Sequence, residues 1–314
     1  MKKFLVSLLA IFVLSLIGIY AFIPQKLEIS KIGYVKCNGK GAFRIISDAN
    51  AWKKWWPKTS VSSDLVENSF FYNGYYFQPS IKFTNAAEVT INNNSFSIKS
   101  RINLIELNRD SVVLIWKSQL PTGYNPLIKI SKYQQAEKIK NNMTAILSAL
   151  QLFLEKSENI YGAYFHIIMS KDSTMVATKG VTRNYPTTDF IYGLIGNLKK
   201  YIAGEDAKEN NFPMLHIKKL SDSTYETMVA IPVNKELQGK DKIFFSRFVP
   251  WKVLTAEVEG GNYTVDEALR QMKMYISDYQ KSAMAIPFES LVTDRNKEPD
   301  TTKWVTRIYT PVPE

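Results

Sequence analysis

The sequence holds a single cysteine, Cys37, so no disulfide can close within the chain. Cys37 sits in an apolar stretch, where a small core residue is expected rather than a nucleophile. Only two histidines occur, His166 and His216, which excludes a histidine-rich metal centre. The Gly-x-Ser-x-Gly elbow, the phosphate-binding glycine loop, the dinucleotide fingerprint and the metal-ligand cluster are all missing. Nucleophilic and metal-dependent chemistry therefore lack support, and no cofactor is expected. Long runs of like charge are absent too. Lysine and arginine outnumber aspartate and glutamate by 40 to 29, a net charge of +11, yet the lysines stand singly or in pairs such as Lys53-Lys54, Lys199-Lys200 and Lys218-Lys219. A scattered basic surface of this kind argues against a nucleic-acid partner.

What is present, in 314 residues that are 45% hydrophobic and 13% aromatic, is material for two folded domains. Ahead of them, Lys2-Lys3 precede an unbroken apolar run over residues 4–23. A helix of that length, rising about 1.5 Å per residue, spans roughly 30 Å, the thickness of the bilayer hydrocarbon. A signal peptide has a shorter apolar core, about 7–15 residues, and a small-x-small cleavage site. Here the run ends Gly18-Ile19-Tyr20-Ala21-Phe22-Ile23-Pro24, without such a site. Residues 1–25 are thus expected to form an uncleaved single-pass anchor, with Lys2 and Lys3 cytoplasmic and the soluble part outside the cytoplasm. Cleavage would release the same soluble part as a secreted or periplasmic protein.

Residues 27–156 read as one domain. A strand over 27–37 leads into a short helical piece at Ala42-Phe43-Arg44-Ile45-Ile46, and strand-like stretches follow at 69–77, 80–91, 95–106 and 111–119. Asn-rich turns such as Asn92-Asn93-Asn94 separate them. After Ser131 the apolar period changes: Ile139, Met143, Ile146, Leu147, Leu150, Phe153 and Leu154 form one stripe on a long helix. The order predicts an α+β helix-grip, a curved antiparallel sheet around a final helix with a cavity between them. Through this order and the segment from Ile45 to Trp52 with Trp55-Trp56-Pro57, the domain resembles the START-like superfamily, also called SRPBCC or polyketide-cyclase-like. The resemblance implies an apolar-ligand cavity, with Trp52, Trp55 and Trp56 as candidate lining residues or as core aromatics.

Residues 165–314 carry a duplication. Asn184-Tyr185 and Asn262-Tyr263 stand 78 positions apart, as do Tyr201 and Tyr279. Between them lie two apolar stripes, Ile191, Leu194, Ile195 and Leu198 in one copy and Leu269, Met272 and Ile276 in the other. Pro213 and Pro287 introduce paired elements 74 apart, and the closing strands at 226–233 and 305–312 are 79 apart. Two tandem β-α-β-β units are expected, paired about a pseudo-twofold axis with the ligand groove at the seam or on the sheet's open face.

With Gly260-Gly261-Asn262-Tyr263, Pro287-Phe288-Glu289 and the closing Thr306-Arg307-Ile308-Tyr309-Thr310-Pro311-Val312, this half resembles the GyrI-like family, the effector-binding domain of many bacterial transcription activators. That resemblance implies a pocket in which Glu289 meets a cationic or polar ligand among aromatic walls, for which Trp304, Tyr309, Tyr263 and Phe288 are the candidates. Arg307 departs from the family's usual acidic residue; pointing inward it would pair with Glu289 and turn the preference toward neutral or anionic ligands, and pointing outward it would change nothing. The expected activity is binding of an apolar or amphipathic small molecule, cations included, by a membrane-tethered protein. The alternatives are a hydrolase using Glu289 as general base, with Tyr263 or Tyr309 beside it, and a carrier of lipids or other hydrophobic compounds. His216, alone on a strand near Pro213, is read as structural.

Overall fold

Unbroken apolar side chains without a helix breaker before Pro24 give α1 (Lys2–Phe22). Over Lys3–Phe22 its mean hydropathy is 2.6, with none of it buried. By length and composition this helix is able to cross a membrane, a property that signal sequences share. The structure is a computed structural model that describes residues 2–57, 68–93, 96–171, 173–248, 250–283 and 285–312; the expected turn residue Asn94 and strand start Ser95 lie outside these. The chain divides into two units, Met1–Lys156 and Ser157–Glu314.

Unit 1 continues with β1 (Lys26–Val35), α2 (Gly39–Ser47), α3 (Ala49–Trp55), β2 (Phe70–Tyr72), β3 (Tyr75–Lys82), β4 (Ala86–Asn93), β5 (Phe96–Asn108), β6 (Ser111–Pro121) and α4 (Pro126–Leu154). The strands form one antiparallel sheet in the order β1-β6-β5-β4-β3-β2. The stretch 69–77, expected as a single strand, is split by Asn73-Gly74. Both residues have positive φ, 44° and 85°, the requirement of the tight turn that matches strand twist in a hairpin. The last helix starts ahead of Ser131 because Asn125 caps it, accepting hydrogen bonds from the Leu127 and Ile128 amides, and Pro126 occupies its first turn. Its buried stripe includes Ala136, Ile139, Met143, Ile146, Leu147, Leu150 and Leu154. Together these elements make the expected α+β grip of a helix by a curled sheet.

Unit 2 comprises α5 (Ser157–Tyr161), β7 (His166–Met169), β8 (Ser173–Thr182), α6 (Thr188–Gly204), β9 (Met214–Ser221), β10 (Thr224–Val233), β11 (Ile243–Phe248), β12 (Lys252–Glu259), α7 (Asn262–Asp278), β13 (Phe288–Leu291), a 3-10 turn at Thr301–Lys303 and β14 (Val305–Pro311). The tandem units are β8-α6-β9-β10 and β12-α7-β13-β14. Their strands share one sheet, ordered β11-β8-β10-β9-β13-β14-β12-β7 and antiparallel throughout, so each repeat mirrors the other outward from the β9–β13 seam. The outermost strands are exchanged: β7 precedes the first repeat yet pairs with β12 of the second, and β11 precedes the second yet pairs with β8 of the first.

The helices correct one expectation. α6 and α7 are each 17 residues long and begin at 188 and 262, so they match at an offset of 74 rather than 78. Buried Ile191, Leu198 and Ile202 correspond to buried Val265, Met272 and Ile276. A displacement of four residues is about one helical turn, which superimposes one apolar stripe on another and hides the error. Tyr201 is accordingly the counterpart of Tyr275, and Asn262 opens α7 instead of preceding it. Gly261 caps that helix, and Gly260 before it takes φ 133°, a conformation open to glycine alone.

Candidate functional site

Strand alternation sorts the predicted residues onto two faces of the unit 2 sheet. Leu215 packs in the core with Val229, Leu291 and the apolar face of α6, so it points toward the helices. Glu289 pairs directly with Leu215 across the seam and shares that face. Phe288, next in the strand, points the other way. Its ring stacks on that of Tyr309 at 4.9 Å between centroids and 14° between planes, and Phe248 meets it edge-on at 5.5 Å. Arg307 also faces away from the helices, where its Nε donates to Glu257 Oε2 at 2.9 Å. The outward case of the sequence reading therefore holds for Arg307. Tyr263 is 85% exposed, because one residue along a helix turns the side chain about 100° from Asn262.

The seam on the helix side holds a partly open cavity of about 170 Å³ lined by Tyr185, Leu215, Ile217, Tyr225, Asp266, Leu269 and Glu289, together with His216, Lys219, Pro287 and Phe288. The Glu289 side chain is only 12% exposed, and an arginine that the sequence reading did not single out stands next to it. Arg295 lies in the loop between β13 and β14, with its Nη2 3.7 Å from Glu289 Oε2. That gap is ion-pair distance but longer than a hydrogen bond. The guanidinium is instead hydrogen-bonded elsewhere, donating from Nη1 to Asn262 Oδ1 at 3.1 Å and from Nη2 to Thr306 Oγ1 at 2.9 Å. It also lies 4.8 Å from the Trp304 ring centroid, so Trp304 supports Arg295 from behind and anchors itself through Nε1 to the Glu298 carbonyl. The first repeat holds this loop in place: the Arg295 amide donates to the Tyr192 hydroxyl at 2.7 Å, and that hydroxyl donates to the Thr293 carbonyl at 3.2 Å.

The electrostatics follow from burial. Loss of solvent pushes the Glu289 carboxyl up to about 7; Arg295 draws it back down and Asp266 adds to the rise. Asp266 is itself raised by burial. The Tyr185 hydroxyl is pushed up to about 12, first by burial and then by Asp266 and Glu289, and its ring meets Tyr225 edge-on at 5.7 Å. A group poised to ionise near neutral pH thus faces a small, mostly apolar space, flanked by a fixed cation and a phenol. His216 lies at the same seam with its Nδ1 2.8 Å from the Pro287 carbonyl oxygen, a strand-to-strand tie, and burial lowers its pKa.

In unit 1, Trp52, Phe77, Ile91, Ile102, Leu114, Trp116, Ile139, Met143 and Ile146 are all under 2% exposed, so side chains fill the space where α4 meets the sheet. The Trp52 and Trp56 rings stack, Trp55 meets both at a tilt, and Phe70 meets Trp52 and Trp56 at a tilt. Two of the indoles are tied into the fold, Trp52 Nε1 to the Ile46 carbonyl and Trp56 Nε1 to that of Phe71, each at 2.9 Å, while the buried Trp55 Nε1 has no hydrogen-bond partner among the described residues. A cavity in this unit, about 520 Å³, opens beside α2, lined by residues that include Lys40, Phe43, Arg44, Leu104 and Glu106 and by none of the three tryptophans. Cys37 is buried with its thiol pushed up to about 12, chiefly by desolvation and further by Glu155, and so remains protonated. Among the described residues, no group of three or more His, Cys, Asp or Glu side chains is placed to hold a metal ion.

No family model and no curated protein matches the chain. Solved structures do show a distant likeness. A complex of EcmrR with DNA is 15% identical with a TM-score of 0.45, over 60% of this chain and 72% of that one. A protein solved with bound tetraphenylphosphonium is 20% identical with a TM-score of 0.34, over 48% of this chain and 94% of that one. The Zhui aromatase/cyclase from a Streptomyces species is 10% identical with a TM-score of 0.32, over 42% and 94%. Likeness at this level assigns no function.

Proposed function

We propose that unit 2 is a small-molecule-binding module whose site is the seam cavity around Glu289, and that α1 holds the protein at a membrane. One observation carries the reading: a carboxyl group enclosed between two repeats, moved to about 7, with its arginine partner committed to other hydrogen bonds. A purely structural pair would be expected to close to hydrogen-bond contact, since the attraction must offset desolvation of both charges. Here the carboxyl keeps its capacity for a guest. Leu215, Ile217 and Leu269 receive an apolar body, and Glu289 meets its polar or cationic end with the Tyr185 hydroxyl nearby. A space of about 170 Å³ suits a small ligand, or one end of a longer amphipathic one. Arg295 widens the accepted class: with its charge beside Glu289, a neutral hydrogen-bonding group is accommodated as well as a cation.

The test is native mass spectrometry of the full chain released from detergent, beside Glu289→Gln. Co-purified small molecules present in the wild type and lost in the variant support the site; identical occupancy in both removes Glu289 from it.

A second reading rests on the same pKa. A carboxyl poised near 7 suits a general base at neutral pH, with Tyr185 the phenol beside it in place of Tyr263 or Tyr309. Turnover of the co-purified molecule by wild type and not by Glu289→Gln would select this reading over simple binding.

A further inference from the structure

The end of α1 is stitched into unit 1 at one corner, the turn from β6 into α4. Thr122 donates from its amide to the Gln25 carbonyl at 2.9 Å and from its hydroxyl to the Pro24 carbonyl at 2.7 Å. The Tyr20 hydroxyl donates to the Tyr124 carbonyl at 2.7 Å. Lys129, buried on the first turn of α4, reaches back with Nζ to the Ile23 carbonyl at 2.5 Å and lies 5.5 Å from the Tyr20 ring centroid. An ammonium on the Ile23 carbonyl, directly past the last turn of α1, complements the negative end of that helix. The turn and first two turns of α4 around this joint carry exposed apolar side chains: Tyr124 and Leu127, each 75% exposed, with Ile128, Ile130 and Tyr133. Among the described residues of unit 1 none covers them, although the rest of α4 buries its stripe against the sheet.

We infer that this corner lies in the membrane interface: α4 dips its N-terminal turns, through Tyr124, Leu127 and Ile128, into the headgroup and acyl boundary of the bilayer that α1 crosses. The occupant follows from continuity. The patch adjoins the end of a helix with mean hydropathy 2.6 and is fixed by one hydrogen bond to Tyr20 of its last turn and by three to Ile23, Pro24 and Gln25 directly after it, so wherever α1 leaves hydrocarbon the patch arrives with it. Aromatic rings with a polar tip, as at Tyr124 and Tyr133, suit that boundary, and apolar side chains of an interfacial helix enter it by roughly 5–10 Å. Unit 1 is thereby held against the bilayer rather than swinging on a tether. The joint also gives α1 a part in the fold, since cleavage after Phe22 would take Tyr20 away from the Tyr124 carbonyl and from the Lys129 ammonium. The inference rests on the anchor reading of α1.

The test separates the two. Full-length protein is reconstituted in phosphatidylcholine vesicles with brominated acyl chains, carrying an environment-sensitive fluorophore on Leu127→Cys, on Leu14→Cys in α1, or on Leu152→Cys. Leu152 is an exposed leucine about 35–40 Å further along α4. Cys37 is buried and does not compete for label. Strong quenching at positions 14 and 127 with none at 152 is the expected result. Quenching at 14 but not 127 leaves the anchor standing and overturns the interfacial corner. Absence of quenching at all three overturns both.

Discussion

Glu289→Gln is the substitution that weighs the seam most directly, because glutamine keeps the shape of the neutral acid and removes the titration. The Glu289 carboxyl moves from 4.5 to about 7 on folding, so the folded protein binds a proton more tightly than the unfolded chain. The stability this contributes is complete below about pH 4.5 and is lost as pH rises through about 7. At about 1.4 kcal/mol per pK unit, ionising the buried group costs about 3 kcal/mol in full, of which roughly 2–3 kcal/mol falls between about pH 5 and pH 8. The side chain is 12% exposed, so solvent screening takes little of this away. Hydrogen exchange of the buried β14 amides, followed by mass spectrometry in the full-length protein, reads the opening free energy of this sheet region. Wild type is expected to lose roughly 2–3 kcal/mol more than Glu289→Gln over that pH interval. Parallel pH dependence in the two proteins would show that Glu289 titrates as a solvated carboxylate, and the argument for an enclosed site would fail.

The same titration governs ligand charge. A small quaternary ammonium cation is expected to bind about ten-fold more tightly at about pH 8 than at pH 6, as Glu289 passes from one part in about eleven ionised to the reverse, and to show no such change in Glu289→Gln; equilibrium dialysis against both proteins measures it. Arg295→Met strands Glu289, Asn262 and Thr306 together, and a loss of about 3–5 kcal/mol is expected in the unfolding of unit 2. An unchanged Tm would mean that the Arg295 loop is not held as described. Gly260→Ala meets two obstacles, a φ of 133° and a Cβ position 2.6 Å from Thr264 Oγ1, and should cost about 1–3 kcal/mol in thermal unfolding. The control Gly261→Ala places its Cβ in ordinary van der Waals contact with Thr301, 3.5 Å from that residue's Cβ, on extended backbone, and is expected to cost under about 1 kcal/mol.

The sequence made the coarse architecture legible because its signals are periodic. Unbroken hydropathy marked α1, the stripe from Ile139 to Leu154 marked α4, and the paired prolines with the matching last strands marked the duplication. Periodicity also misled, since it is blind to a shift of one helical turn, and Tyr201 was matched to Tyr279 in place of Tyr275. The site was half visible. Glu289 stood out beside Pro287 through a family resemblance, and Asp266 left a trace as a carboxylate one turn beyond Asn262, beside apolar Val265 and Leu269. Arg295 left none. Its place depends on Tyr192 of the other repeat gripping the loop, a contact between residues 103 positions apart. Tyr263, Phe288 and Tyr309 come in as aromatic walls through the same resemblance; helix rotation turns the Tyr263 side chain into solvent, and strand alternation puts the stacked Phe288 and Tyr309 rings on the other sheet face, with Phe288 still bordering the cavity.

The pairing of Leu215 with Glu289 bears on how such a site arises. Leu215 pairs with Val229 and Glu289 with Ile308, equivalent positions of the closing strands, so the two residues are counterparts that meet across the pseudo-twofold seam. A symmetric dimer of a single ancestral repeat would place the same side chain there twice. Two glutamates would set one carboxyl against another in a confined space and drive each toward neutrality; two leucines would leave a greasy seam with no handle. Joining the copies on one polypeptide frees each half to mutate alone, so one supplies the acid and the other the wall, and the chemistry of the pocket is a product of broken symmetry that no homodimer of that repeat is able to reach.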